Sequence, residues 1–446
     1  MSARRHIAPA EALRTLGQHI LLDGFGIVLD LEKSKGCNVV DAATGRTILD
    51  LYGCFGSLPL GFNHPGMHRP EVERDLLVAA RAKAANSDVY STLYAEFVRT
   101  FRDVAGLPPL ERYFFIEGGA LAVENALKAA MDWKVRKNLA AGRGERGTAI
   151  LHFEQAFHGR SGYTLSLTNT DPVKTAHFAK FPWPRVAAPA LDFNLAESDR
   201  EKDAARKEAQ CEAVLRNVVE RDHEDIAAII IEPIQGEGGD RHFSAAWLRA
   251  LRKVCDEHDI LLIFDEVQTG GGTTGRMWCC QHFGVLPDLL AFGKKVQACG
   301  VMAGPRLDEV PDNVFRLSGR INSTWGGSLV DMVRATHVLR LIEQEGLLEH
   351  AAFVGDKFLE ALRIFSSVHP VITAVRGRGL MIAFDLPTRQ IRDEFYKGLY
   401  DLGLLALRSG ERSIRFRPAL DLPESAIDRT IEILEKQCRR TSLPVV

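Results

Sequence analysis

The chain has 446 residues, with 56 Lys and Arg against 58 Asp and Glu, a formal net charge of −2. Charges this balanced do not build a phosphate-tracking surface, which argues against nucleic acid as a main partner. A hydrophobic content of 46% with 26% charged residues excludes a disordered chain and provides for a sizeable core. No apolar run approaches the roughly 18 residues of a membrane span, and MSARRHIAPAEALRT lacks the apolar stretch of a signal peptide. A cytoplasmic, membrane-free protein is expected. The eight cysteines are scattered without a CxxC pair or metal-ligand spacing, so reduced thiols and no metal site are expected.

In chain order, the first fifty-odd residues carry turn signals at Gly24, Gly26, Gly36 and Gly45 between short strand-like pieces. A helix is predicted over 119–137, opening on Gly118 and Gly119 and carrying Ala120, Val123, Leu127, Ala130 and Met131 on one side. A strand follows at 148–153. The near-continuous apolar runs 226–232, 260–264 and 289–292 read as strands covered on both faces. Between the first two, Ser244 is placed to cap a helix bearing Trp247, Leu248, Leu251 and Val254, which makes one βαβ crossover. Beyond about residue 330 come helices, strands over 375–386 and 412–420, and a closing helix near 424–438. The predicted fold class is α/β: a large domain with a mostly parallel sheet over 61–330, and a smaller α+β domain assembled from 1–60 and 331–446.

Some residues stand where chemistry is possible. Asp265 follows a buried strand at its carboxyl end, where open α/β sheets place ligands. It either caps the next turn or holds a cationic ring nitrogen. Lys294 follows Gly293 at the end of 289–292, and is either half of a solvated Lys294–Lys295 pair or a desolvated, nucleophilic amine. The glycines before the 119–137 helix offer open backbone N–H groups to an anion, or simply a tight turn. Arg160 and Arg415 are candidates for gripping a carboxylate, or for structural ion pairs.

Taken together, EGGALAVENALKAA, FHGR, EPIQGEGG, FDEVQTG, PDLLAFGK and NSTWGG closely resemble the class-III, fold type I aminotransferases dependent on pyridoxal 5'-phosphate that act on terminal amines. The resemblance runs from about residue 20 to 440. Within that family the longer stretches AFHGRSGYTLSLTNT, EPIQGEGGDRHF and INSTWGGSLVDMVRA are most similar to the branch that acts on L-lysine.

The resemblance implies that Lys294 holds the cofactor covalently, Lys295 being the poorer match. It implies that Asp265 pairs with the ring nitrogen, that Phe157 and Val267 flank the ring, and that Gln268 reaches the ring hydroxyl and the substrate. The backbone at Gly119 and Ala120 would hold the phosphate, joined by Thr324 of a neighbouring subunit, so a homodimer with its active site at the subunit interface is implied. Where relatives have Ser-Gly-Ala-Glu-Ala at this helix start, the chain has GGALA (118–122), without the hydroxyl and carboxylate.

Arg160, Glu237, Gln268, Asn322 and Arg415 would bind substrate, with L-lysine as donor, 2-oxoglutarate as acceptor and L-glutamate as product. Arg160 would grip lysine's α-carboxylate while Glu237 neutralises Arg415, and Glu237 would swing aside when a dicarboxylate binds. The same residues suit other ω-aminotransferases acting on ornithine, acetylornithine or 4-aminobutyrate, and an aminomutase on this scaffold.

Overall fold

A computed structural model describes residues 7–441, so residues 1–6 and 442–446 of the two expected end segments lie outside the described residues. Seven strands make the central sheet: β1 (Arg112–Ile116), β2 (Ala149–Phe153), β3 (Arg185–Val186), β4 (Ile226–Ile231), β5 (Leu261–Asp265), β6 (Leu289–Phe292) and β7 (Cys299–Ala303). Their spatial order is β1-β7-β6-β5-β4-β2-β3. From β6 to β3 every neighbouring pair is parallel, whereas β7 runs antiparallel to both β6 and β1.

The apolar runs become strands because both faces are covered. Every residue of β4, β5 and β6 is buried. Leu261 and Ile263 pack in one cluster with Ala122, Ala126 and Trp133 of the helix Gly119–Ala140. Leu262 and Phe264 point to the opposite face, in a cluster with Trp247 and Leu251 of the helix Ala245–Glu257. Alternation along each strand therefore sends successive side chains to different helical layers. Ser244 caps the second helix as expected, its hydroxyl accepting from Trp247 N at 3.0 Å.

The two ends of the chain meet. Asn38–Val40, Thr47–Asp50 and Leu404–Leu405 form a three-stranded sheet in which Leu404 pairs with Leu49. A second, antiparallel sheet takes the order Thr373–Arg378, Met381–Asp385, Ser413–Phe416, Leu407–Ser409. The run 375–386, read as one strand, is thus a hairpin that turns at Gly379, whose φ of 54° suits glycine. Strand β7 and the helices Pro9–Gly17 and Glu197–Asp222 were not anticipated from the sequence. The last of these, 26 residues long, buries only Ala204, Leu215 and Val219, too sparse a stripe to announce itself.

Candidate active site

The carboxyl ends of the parallel strands bring the predicted residues to one edge of the sheet. Strand pairing sets Ala291 beside Asp265, so Asp265 and Lys294, three residues beyond Ala291, leave adjacent strands on the same side. Lys294 sits in the connection from β6 to the antiparallel β7. Its φ of 48° is left-handed, a conformation that costs a residue with a Cβ roughly 1–2 kcal/mol. A cleft of about 500 Å³ opens there, lined by Gly119, Ala120, Phe157, Arg160, Val267 and Lys294 among others. A larger groove of about 610 Å³, near Gln155 and Arg412, contains none of the predicted site residues.

The two adjacent lysines face different surroundings. Lys295 is 1% exposed and donates to the carbonyls of Leu58 at 2.8 Å and Pro418 at 2.7 Å. The reading of a solvated pair is therefore wrong, because Lys295 is a buried strut between segments. Lys294 Nζ donates to Phe55 O at 3.0 Å beside the cleft. Desolvation, with Arg415 and Arg417 nearby, pushes its pKa down to about 8, opposed by Glu237 and Asp265. A neutral amine is accordingly accessible near neutral pH. The rate at which the apoprotein captures pyridoxal phosphate, followed by visible absorption, is expected to climb with pH and level off above about 8, because only the neutral amine attacks. A flat profile between about pH 6.5 and 9.5 would contradict this assignment.

Asp265 is buried and doubly held: Oδ2 lies 2.7 Å from His158 Nδ1, and Oδ1 accepts from Val267 N at 3.0 Å. An ionised carboxylate only accepts, so His158 donates through Nδ1. Its Nε2 is buried without a hydrogen-bond partner. Behind this pair, Glu232 accepts from the N–H groups of Phe157 at 2.9 Å and Gly236 at 3.0 Å, joining two of the loops that line the site. Burial pushes the Glu232 carboxyl up to about 7.

Gly119 begins its helix after Gly118, which has φ 102° and supplies no side-chain cap. The first N–H groups of a helix have no partner within it, so they face the cleft as anion donors. A Cβ on Gly119 would stand 2.7 Å from Val267 Cγ1, so only glycine lets the helix start approach the loop after β5 this closely.

Arg415, 2% exposed on the strand Ser413–Phe416, donates from Nη1 to Gln268 Oε1 at 2.9 Å and is ion-paired with Glu237. Gln268 Oε1 also accepts from Arg417 at 3.3 Å, and Arg417 is itself paired with Asp240. Arg160 is exposed on the cleft and has no ion-pair partner among the described residues. Asn322 and Thr324 are exposed and do not line the cleft of their own chain. There the Thr324 carbonyl accepts from Ser87 Oγ at 3.1 Å.

Sequence reasoning passed over four residues here. His158 lay inside the quoted FHGR, and Arg417 stands two places from Arg415, the spacing that keeps residues on one face of an extended chain. Glu232 ends an apolar run and marks itself only as a carboxylate at a buried strand end. No sequence signal pointed to Lys174, whose Nζ donates to Glu237 Oε1 at 2.5 Å.

These groups fit pyridoxal phosphate. The helix start suits a phosphate, Phe157 and Val267 line the same cleft, Asp265 can pair with a protonated ring nitrogen, and Lys294 has the depressed pKa a carbonyl-trapping amine needs.

The chain is 50% identical over 424 residues to the L-lysine-epsilon aminotransferase of Streptomyces clavuligerus, covering 94% of this chain and 92% of that protein. It is 32% identical over 432 residues to the 4-aminobutyrate aminotransferase of Saccharomyces cerevisiae, covering 91% and 89%. A solved lysine aminotransferase from M. tuberculosis superposes with a TM-score of 0.94 at 49% identity, covering 97% of this chain and 99% of that one. The aminotransferase class-III family matches residues 24–438, and the chain therefore belongs to that family of pyridoxal-phosphate-dependent enzymes.

Proposed function

We propose that this enzyme transfers the ε-amino group of L-lysine to 2-oxoglutarate. The products are 2-aminoadipate 6-semialdehyde, which cyclises to 1-piperideine-6-carboxylate, and L-glutamate. The observation that carries this reading is the contrast between two arginines: Arg415 is buried and masked by Glu237, whereas Arg160 stands open at the exposed side of the cleft. Half identity to relatives named as lysine aminotransferases supports the choice of donor.

Bound pyridoxal phosphate supplies an electron-accepting ring that stabilises the charge left on a carbon when its proton is removed. Lys294 Nζ would be the base that moves that proton, and Asp265 would hold the ring nitrogen in its protonated form. Phe157 and Val267 would flank the ring, and the N–H groups of Gly119 and Ala120 would hold the phosphate. Arg160 grips the donor's carboxylate at the far end, so that the terminal amine reaches inward. With lysine bound, no substrate carboxylate reaches Arg415, and Glu237 removes the cost of leaving that cation unpaired. When 2-oxoglutarate or glutamate binds, Glu237 releases Arg415 to the α-carboxylate and Arg160 takes the distal one.

In this reading the active form is a homodimer in the cytoplasm. The exposed position of Asn322 and Thr324, off their own cleft, is what supports their service across a subunit interface. The chain divides at about residues 60 and 330, with both ends building the smaller domain.

The test is a donor panel. Purified enzyme loaded with pyridoxal phosphate is given 2-oxoglutarate with L-lysine, L-ornithine, N-acetylornithine or 4-aminobutyrate, and glutamate is measured. Lysine is expected to exceed ornithine, one methylene shorter, by about 10- to 200-fold in kcat/KM. A preference for another donor would overturn the lysine assignment, and turnover without any oxo acid would point to an aminomutase.

A further inference from the structure

Glu237 meets two cations. Oε2 is paired with Arg415, while Oε1 accepts from Lys174 Nζ at 2.5 Å. Lys174 ends the short turn Pro172–Lys174, capped by Asp171, whose carboxylate is itself paired with Arg389 at 3.6 Å. Its ammonium lies 5.3 Å from the centroid of the Phe157 ring and 3.5 Å from Thr170 Oγ1. None of the steps described above uses this lysine. We propose that Lys174 is a specificity-determining positioning residue, which retains Glu237 when Arg415 is freed and so favours the dicarboxylate half of the reaction. The inference rests on the exchange role given to Glu237.

The backbone limits where the displaced carboxylate can go. The Glu237 backbone is pinned, its carbonyl accepting from Gly410 N at 3.0 Å, while the flanking Gly236 carbonyl accepts from Ser409 Oγ at 2.6 Å. Only the side chain is free to move. A carboxylate leaving Arg415 with no second cation would be stranded half-buried. Here it keeps one charge-assisted hydrogen bond throughout, since each oxygen already has its own partner.

Charge balance acts in the same direction. Arg415, Lys174 and Glu237 together carry a single net positive charge, whereas Arg415 and Glu237 alone would carry none. A dicarboxylate gains from that extra charge. Lysine, whose one carboxylate is offset by its own α-ammonium, gains little.

The experiment measures the two half-reactions of the loaded enzyme separately by stopped-flow, together with calorimetric titration of glutarate, a dicarboxylate that cannot react. Lys174→Met is expected to weaken glutarate binding and raise the KM for 2-oxoglutarate about tenfold. The lysine half-reaction should stay within about twofold, and Lys174→Arg should restore most of the loss. Equal losses in both half-reactions, or unchanged glutarate affinity, would overturn the proposal. If the unsubstituted enzyme fails with lysine, the donor assignment falls, and the glutarate titration still decides on Lys174.

Discussion

Lys294→Ala is expected to abolish the visible absorption of the covalently held cofactor and to lower turnover by about a thousandfold or more, since both a nucleophile and a general base are lost. The protein itself should stay folded. The Lys294 side chain makes one hydrogen bond, to Phe55 O at 3.0 Å, and alanine leaves the carbonyl of an exposed residue free. Lys295→Ala provides the contrast. It removes a buried ammonium from the carbonyls of Leu58 and Pro418, leaving one part-buried and one buried acceptor unmatched, at a cost of roughly 2–5 kcal/mol in stability. The spectrum of what remains folded should survive. Thermal melting and absorption spectra of both variants check this, and loss of the visible band in Lys295→Ala alone would exchange their roles.

Asp265→Asn should lower turnover by about a hundred- to a thousandfold with little change in Tm. The amide is nearly isosteric: its oxygen still accepts from Val267 N, and its NH2 donates to Nδ1 of the other His158 tautomer, whose proton sits on Nε2, so the packing around both neighbours survives. What disappears is the negative charge that keeps a ring nitrogen protonated, and with it the ring's capacity to accept electrons. The measurement is kcat of each half-reaction beside a thermal melt. Turnover within threefold of the unsubstituted enzyme would show that the carboxylate only caps the turn after β5.

Much of this architecture is legible in the chain because burial is written into composition. Strands β4, β5 and β6 are apolar on both faces, and only a sheet sandwiched between helical layers accepts such runs. Their carboxyl ends deliver Asp265 and Lys294 to the same edge, so adjacency in space follows from two strand ends read in sequence. The glycines at 118 and 119 are legible for a similar reason, being tied to local backbone geometry. Strand β7 escaped notice because direction of pairing leaves no mark on a strand's own residues. The helix Glu197–Asp222 escaped because its buried stripe is sparse.

The chain by itself therefore determined which residue types stand at the ends of buried strands, since burial and turn chemistry act within a few neighbouring positions. Tertiary structure alone decided which charges face each other. Lys295 becomes a strut because Leu58 and Pro418, hundreds of residues from it in one direction and more than a hundred in the other, arrive at its amine. Glu237, Arg415 and Lys174 come together from three separate segments. A charge acts across a few ångströms of desolvated space whatever the separation along the chain, and only the folded molecule sets that distance.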